Sequence, residues 1–261
     1  MALIALASAK GAPGVSLAAA GLASVWPRRC VVADLDPAGG DVPLRYRGED
    51  GDPLDPDTGL LSLAVAVRRG TQGDLEEHLQ RTAAGMETLV GVSTPGQVQG
   101  LGAAWPFVAA AMRDLSDADV LVDLGRVTPG SAVLPILERA DGLVMVTGPS
   151  LEEVAHLRER LGNLKELLGL GNVDGIPVGV AVRTSARDTR SLDDTVRLLE
   201  SSRLPVTGLG VVAEDAKAAE VVRTASGRSI RRSVLLRSLT DLAGAIETMV
   251  TSARSVRSGV F

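Results

Sequence analysis

The stretch ALIALASAKGAPGVSLAAAG, residues 2–21, joins three features in a fixed order. An apolar run of strand length comes first, a loop with Gly11 and Gly14 follows, and an alanine-rich helical segment begins at Ser16. Glycines let backbone N–H groups converge, and the positive end of a helix dipole attracts an anion. The stretch therefore predicts a strand, a phosphate-binding turn at residues 8–16 and a helix, with the Ser16 hydroxyl placed to ligate Mg²⁺.

Further apolar runs recur along the chain, and most are separated by segments with helical spacing. These runs are ALIALAS, RCVVADLD, METLVGV, ADVLVDLG, DGLVMVTG, IPVGVAV and LPVTGLGVV. Alternating strands and helices predict an α/β fold, a single-domain three-layer sandwich over residues 1–261 with helices on both faces. We expect a mainly parallel central sheet of about seven strands. A final helix is predicted from about Ser233 to Thr251, with residues 252–261 as a disordered tail.

Composition narrows the class of protein. The chain has 261 residues, 45% of them hydrophobic, and a formal net charge of -5, which disfavours nucleic acid as a partner but leaves room for local basic faces. Cys30 is the only cysteine, which excludes an internal disulfide and an all-cysteine metal cluster within one chain. No run of about 18 apolar residues predicts an integral membrane segment. We therefore expect a cytoplasmic protein, with peripheral membrane association left open.

The turn at residues 8–16 resembles the variant phosphate loop of the ParA/MinD family of P-loop ATPases, which reads lysine-Gly-Gly-x-Gly-lysine-Thr-Thr. The resemblance places Lys10 on the family's signature lysine, which reaches across a dimer to the partner's nucleotide. Val15 replaces the second lysine, which contacts the β- and γ-phosphates of its own nucleotide. Ala12 replaces a glycine, Leu17 replaces a threonine, and Pro13 removes one backbone donor. The resemblance implies ATP and Mg²⁺ as cofactors, bound without that second ammonium.

Two other stretches match the same family in the same order, and a third, VAVRTS, departs from it. VVADLDPAGGDV resembles the segment after the second strand, where Asp34 would orient the loop and Asp36 would polarise the attacking water. ADVLVDLGR resembles the Walker B strand, where Asp123 would reach the Mg²⁺ shell through water. In VAVRTS, Val182 stands where the family's asparagine reads the adenine, and Arg183 follows it. The GDV after the second strand is most similar to the pilus-assembly branch, the TadZ/CpaE proteins.

These matches define a candidate site. Its catalytic residues are Asp36 and Lys10; its cofactor-binding residues are Lys10, Gly11, Ala12, Pro13, Gly14, Val15, Ser16, Leu17 and Arg183; its metal residues are Ser16, Asp34 and Asp123. Simpler roles stand beside these: an aspartate capping a turn, a solvated Lys10 on an empty loop, and a surface ion pair for Arg126 in place of phosphate sensing. His78 and His156 lie on charged helical patterns, so we expect both to be solvated.

Because position 15 holds a valine and no lysine, three hypotheses about function have to be considered. A charge-assisted contact contributes roughly 1.5–3 kcal/mol to binding, and its loss costs more where phosphoryl transfer depends on electrostatic stabilisation. The first hypothesis is an ATP-binding homodimeric switch with weak or absent hydrolysis, which positions or assembles a larger protein machine such as a pilus or secretion apparatus. The alternatives are an active but slow Mg²⁺-dependent ATPase and a nucleotide-free scaffold.

Overall fold

The computed structural model describes residues 1–10, 14–70, 74–224 and 233–259. Within these ranges one sheet contains eight strands. They are β1 (Leu3–Ser8), β2 (Cys30–Asp34), β3 (Gln80–Arg81), β4 (Glu87–Leu89), β5 (Asp119–Arg126), β6 (Gly142–Thr147), β7 (Val178–Thr184) and β8 (Thr207–Ala213).

Helices connect these strands and cover the sheet. They are α1 (Val15–Val25), α2 (Val42–Arg45), α3 (Leu60–Arg68), α4 (Pro95–Leu101), α5 (Trp105–Asp114), α6 (Leu134–Leu137), α7 (Leu151–Leu164), α8 (Ser191–Ser201), α9 (Ala216–Thr224) and α10 (Val234–Ser258). Short 3₁₀ turns lie at Leu75–His78 and Gly102–Ala104.

The strand order is β3-β4-β2-β5-β1-β6-β7-β8, and the pairs are parallel except for β3 with β4. The prediction of a mainly parallel α/β sheet is confirmed, and each of the seven apolar runs contains a strand. The eighth strand, β3, is a polar pair of residues at the sheet edge. The order reverses around β1, whose neighbours are β5 and β6, and such a reversal opens a crevice at the carboxyl ends of the strands.

The sheet separates two apolar cores, as three layers require. Successive residues of β1 point to opposite faces, so that Ala5 belongs to one core and Ile4 to the other. The first core packs under α3, α4, α5, α6 and α7, and the second packs under α1, α9 and α10. Because α1 and α10 approach closely, a Cβ on Gly21 would lie 2.5 Å from Leu239 Cδ1. Helix α1, which begins at the phosphate turn, is thereby fixed against α10.

The last helix is longer than the sequence predicted. Helix α10 continues to Ser258, so the tail predicted from residue 252 is helical in its described part. Two arginines beyond Thr251 stabilise the extension: Arg254 pairs with Asp141 at 2.8 Å, and Arg257 donates to the Gly175 carbonyl at 2.6 Å. Residues 260–261 lie outside the described residues.

Candidate phosphate and metal site

The first strand-to-helix turn brings backbone donors to the carboxyl edge of β1. Gly14 adopts φ 91° and ψ 35°, a left-handed conformation that favours glycine, and α1 begins at the next residue. The first intrahelical bond runs from the Ala18 N–H to the Gly14 carbonyl at 2.8 Å. The N–H groups of Val15 and Ser16, in the first turn of α1, thus lie at the positive end of the helix. The predicted cofactor-binding residues Gly11, Ala12 and Pro13 lie outside the described residues.

Val15 and its neighbours divide between core and site. The Val15 side chain is only 5% exposed and packs in the core beneath α1, so this valine can offer a nucleotide only its backbone. Leu17 is half-buried against the same core. The Ser16 hydroxyl interacts with the Asp123 carboxyl by a side-chain hydrogen bond, which acts to lower the pKa of Asp123. Ser16 thus lies beside Asp123, and its role at a metal stays a prediction.

Asp34 and Asp123 are direct neighbours across the sheet. Asp34 is the last residue of β2, and Asp123 is its register partner in the adjacent parallel strand β5. Both are nearly inaccessible to solvent. Asp34 Oδ2 accepts a bond from the Val42 N–H at 3.1 Å, and Asp123 Oδ1 accepts one from the Gly125 N–H at 2.9 Å. Burial, and then the charge of Asp123, raises the pKa of Asp34 to about 7. Burial likewise raises the pKa of Asp123 to about 6, against the interaction with Ser16.

Two glycines leave the space that the carboxylates occupy. A Cβ on Gly125, at φ +53°, would lie 2.1 Å from Asp36 Cγ, and a Cβ on Gly40 would lie 2.4 Å from Asp34 Oδ2. Asp36 is half-buried and accepts a bond from the Ala38 N–H at 2.8 Å. The turn-capping role considered for Asp36 is thus present, and the carboxylate also lies beside the end of β5. The structure brings Asp34, Asp36 and Asp123 together.

Arg183 lies over the phosphate turn from the other side. Its Cδ would be 3.7 Å from a Cβ built on Gly14, so the end of β7 reaches the start of α1. Its Nε is buried and has no hydrogen-bond partner among the described residues, while a terminal nitrogen lies 3.7 Å from a Glu214 oxygen. A buried donor without a partner is costly, and an anion beside Gly14 would satisfy it. Arg183 therefore lies beside Gly14 at the start of α1, and its role in binding a cofactor stays a prediction.

The donor set suits magnesium only in part. A hydroxyl and carboxylates are the hard oxygen ligands that Mg²⁺ takes, often through water. Across the described ranges, however, no group of three or more His, Cys, Asp or Glu side chains is arranged to hold a metal ion. Asp34, Asp123 and Ser16 also line a narrow cavity with Asp41, Arg45 and Tyr46. The protein side thus offers Ser16 and water-mediated carboxylates, and other ligands would have to come from a nucleotide.

Two histidines, His156 and His78, differ from the sequence prediction. Lys10 is exposed, and its Nζ lies 3.3 Å from Nε2 of His156 on α7, a histidine that was predicted to be merely solvated. His78 is buried, at 8% exposure, and its Nδ1 lies 2.8 Å from the Ser62 hydroxyl. Arg160, which the sequence did not single out, contacts the phosphate turn. Arg126 is exposed at the end of β5.

Among the helices within the described ranges, none has both the length and the apolar character needed to cross a membrane. No protein-family model matches the chain. A search of curated proteins found no match.

Solved structures do share its architecture. The chain is 18% identical to a ParA family ATPase from Chlorobium tepidum, with a TM-score of 0.71 over 93% of this chain and 97% of that one. It is 20% identical to the cell division ATPase MinD from Pyrococcus furiosus, with a TM-score of 0.70 over 95% and 99% of the two chains. MinD from Pyrococcus horikoshii, solved with Mg-ADP, is 17% identical with a TM-score of 0.68 over 97% and 98%. Over nearly its whole length, this chain therefore has the fold of the ParA and MinD ATPases.

Proposed function

We propose that this protein is an ATP-binding switch of the ParA/MinD type, in which Mg²⁺-nucleotide promotes a homodimer and hydrolysis is weak or absent. The observation that carries the proposal is the convergence of Gly14, Ser16, Arg183 and the Asp34–Asp123 pair at one edge of the sheet. The shared fold with MinD solved with Mg-ADP supports it. The dimer then binds a protein partner in a larger assembly, in the manner of the TadZ/CpaE branch, within the cytoplasm.

Binding would depend on backbone donors and on Arg183. The N–H groups of Val15 and Ser16 donate to phosphate oxygens at the helix N-terminus, and the buried Nε of Arg183 donates from the opposite side. Ser16 would ligate the metal, and Asp34 and Asp123 would hold its water shell. Bound Mg²⁺ supplies positive charge that neutralises the phosphates. Arg183 in this way replaces part of the in-chain charge that Val15 cannot provide.

Turnover would depend on Asp36 and Lys10. Asp36 lies beside Gly125, where its carboxylate can orient a water for attack, and this placement favours the slow ATPase as a second candidate. Lys10 completes the site of the partner subunit across the dimer. Without a lysine at position 15, the transition state lacks one cation, so we expect slow phosphate release.

The decisive experiment is equilibrium titration of the protein with ATP and Mg²⁺, with sedimentation to measure the dimer. We expect saturable binding and a higher dimer fraction with ATP. Arg183→Ala should weaken ATP binding about tenfold or more, the loss expected for a charge-assisted hydrogen bond, while the exposed Arg187→Ala on the same side of the fold serves as the matched control. If the titration shows no saturable binding at millimolar ATP, the switch is refuted, and the nucleotide-free scaffold is the function that remains.

Two further variants separate the switch from the enzyme. Val15→Lys should strengthen ATP binding and raise phosphate release, because it restores the missing cation. Lys10→Ala should abolish any Mg²⁺-dependent phosphate release while leaving ATP binding by the monomer largely intact. Phosphate release that persists in Lys10→Ala would contradict the role given to Lys10.

A further inference from the structure

Helix α7 lies beside the phosphate turn and is firmly held by the core. Ser150 caps its first turn, accepting from the Glu153 N–H at 3.3 Å, and Glu153 accepts in return from the Ser150 hydroxyl at 2.9 Å. Its inner face, Val154, Leu157, Leu161 and Leu164, is buried under the sheet. Side chains on α7 therefore have a fixed base from which to contact loops.

Arg160, from the middle of α7, joins two loops at the candidate site. One terminal nitrogen donates to the Val127 carbonyl at 2.7 Å, just after β5, and the other donates to the Ala9 carbonyl at 3.0 Å, just after β1. Ala9 is the residue before Lys10, and Val127 follows the strand that carries Asp123. The planar fork of an arginine can make both bonds at once, which a lysine ammonium on a flexible stem does less well.

His156 lies one turn before Arg160 on the same helix, and residues four apart share a face. Its Nε2 is 3.3 Å from the Lys10 ammonium, which donates to it when the imidazole is neutral. The backbone of Ala9 and the side chain of Lys10 are thus both held by α7. We name residues 9–10 the loop arm.

We propose that Arg160 and His156 are positioning residues that set the direction of Lys10: Arg160 fixes the loop arm to the end of β5, and His156 holds the ammonium against α7 in the single chain. The consequence for Lys10 rests on the proposed function, because Lys10 must leave His156 to reach the nucleotide of a partner subunit. Arg160 then maintains the arm while Lys10 exchanges between the two positions. The two side chains have opposite effects on dimerisation: Arg160 supports it and His156 opposes it.

Hydrogen exchange of the nucleotide-free protein tests the role of Arg160 independently of ATP. Arg160→Ala should speed amide exchange several-fold in peptides that cover the loop arm and Val127, since two backbone carbonyls lose their donor. Arg158→Ala, an exposed arginine two residues away on α7, is the control and should leave those peptides unchanged. Unchanged exchange in Arg160→Ala, or an equal change in both variants, overturns the assignment. Arg160→Lys gives the same test if the alanine variant does not fold, with partial protection expected.

Amine acylation tests the role of His156, because the chain has lysines only at 10, 165 and 217. With a succinimidyl ester and mass spectrometry, His156→Ala should raise the acylation rate of Lys10 about two- to tenfold, the range that the loss of one hydrogen bond allows. The exposed Lys217 is the internal control. Equal Lys10 rates in both proteins would show that the ammonium is not held.

Sedimentation with Mg²⁺-ATP then connects both residues to the switch. We expect Arg160→Ala to lower the dimer fraction more than it lowers ATP binding by the monomer, and His156→Ala to raise the dimer fraction. Shifts of the same sign in both variants would contradict the opposed roles. If the parent protein binds no ATP, the proposed function fails, while exchange and acylation still decide the positioning roles.

Discussion

The substitution Asp34→Asn tests the electrostatics of the candidate site most directly. Burial and the neighbouring Asp123 raise the pKa of Asp34 from 3.8 to about 7, a difference of about 3 pH units. At 1.36 kcal/mol per unit, ionised Asp34 costs the folded protein on the order of 4 kcal/mol at pH 8. Asparagine has the same shape and keeps an oxygen that can accept from the Val42 N–H. The variant is therefore expected to be more stable than the parent at pH 8.

The sign of the pH dependence follows from proton binding. Between about pH 4 and pH 7 the folded parent keeps a proton on Asp34 that the unfolded chain has lost, so the parent loses stability as the pH rises through this window. Asp34→Asn removes that slope. The gain in stability should be close to zero near pH 4, should grow toward pH 7, and should then level off.

Urea unfolding without nucleotide, at intervals from pH 4 to pH 8, measures this difference. Taking the difference between variant and parent cancels the contribution of groups that do not interact with Asp34, such as His78, whose pKa burial lowers. Asp193→Asn, at an exposed position of α8, is the matched control. A difference that does not vary with pH, or a variant less stable than the parent at pH 8, would refute the electrostatic reasoning. Mg²⁺-ATP should stabilise this variant less than the parent, because a neutral amide holds the water shell of a metal less well than a carboxylate does.

Three other perturbations give clear expectations. Without nucleotide, Val15→Lys should lower the free energy of unfolding by roughly 1.5–3 kcal/mol, because a buried apolar side chain is lost from the core. Calorimetry measures this loss, and an unchanged melting temperature would contradict it. Asp119 accepts from the Ala2 N–H at 2.7 Å and from Trp26 Nε1 at 2.8 Å. Asp119→Ala should therefore lower the free energy of unfolding by about 1–3 kcal/mol for each donor left without an acceptor. Urea unfolding measures the loss, and a difference below about 0.5 kcal/mol would contradict it. The Cys30 thiol, with its pKa raised to about 12 by burial, should react with iodoacetamide at pH 7.5 far more slowly than free cysteine, and a comparable rate would show that the strand opens.

The sequence predicted the sheet well because its strands are buried on both faces and are therefore apolar throughout. The two residues of β3 carry no such pattern, since an edge pair is defined by its partner strand. The end of α10 was predicted too early for a similar reason: the polar residues after Thr251 are held by distant partners, such as Asp141, that no local pattern reveals. His78 likewise contacts Ser62, which is 16 residues away in sequence and which no local pattern reveals.

The candidate site was predictable where strand ends carry aspartates. The resemblance assigned both Asp34 and Asp123 to the metal, and the two residues are register partners on neighbouring parallel strands. Arg160 could not be found in this way, because its partners are backbone carbonyls, which every residue has. The direction of the Val15 side chain was also hidden, since the resemblance supplied a position in the loop but no packing.

The burial of Val15 bears on how this chain could change over evolutionary time. An aliphatic group that has become part of the interior cannot be exchanged for a long cation without disturbing Leu22, Leu236 and the other members of its cluster. A lysine at this position would therefore carry a cost in packing, which compensating changes in α1 or α10 could reduce. Such coupling between positions favours variants that keep a lysine-free loop over those that gain a lysine there.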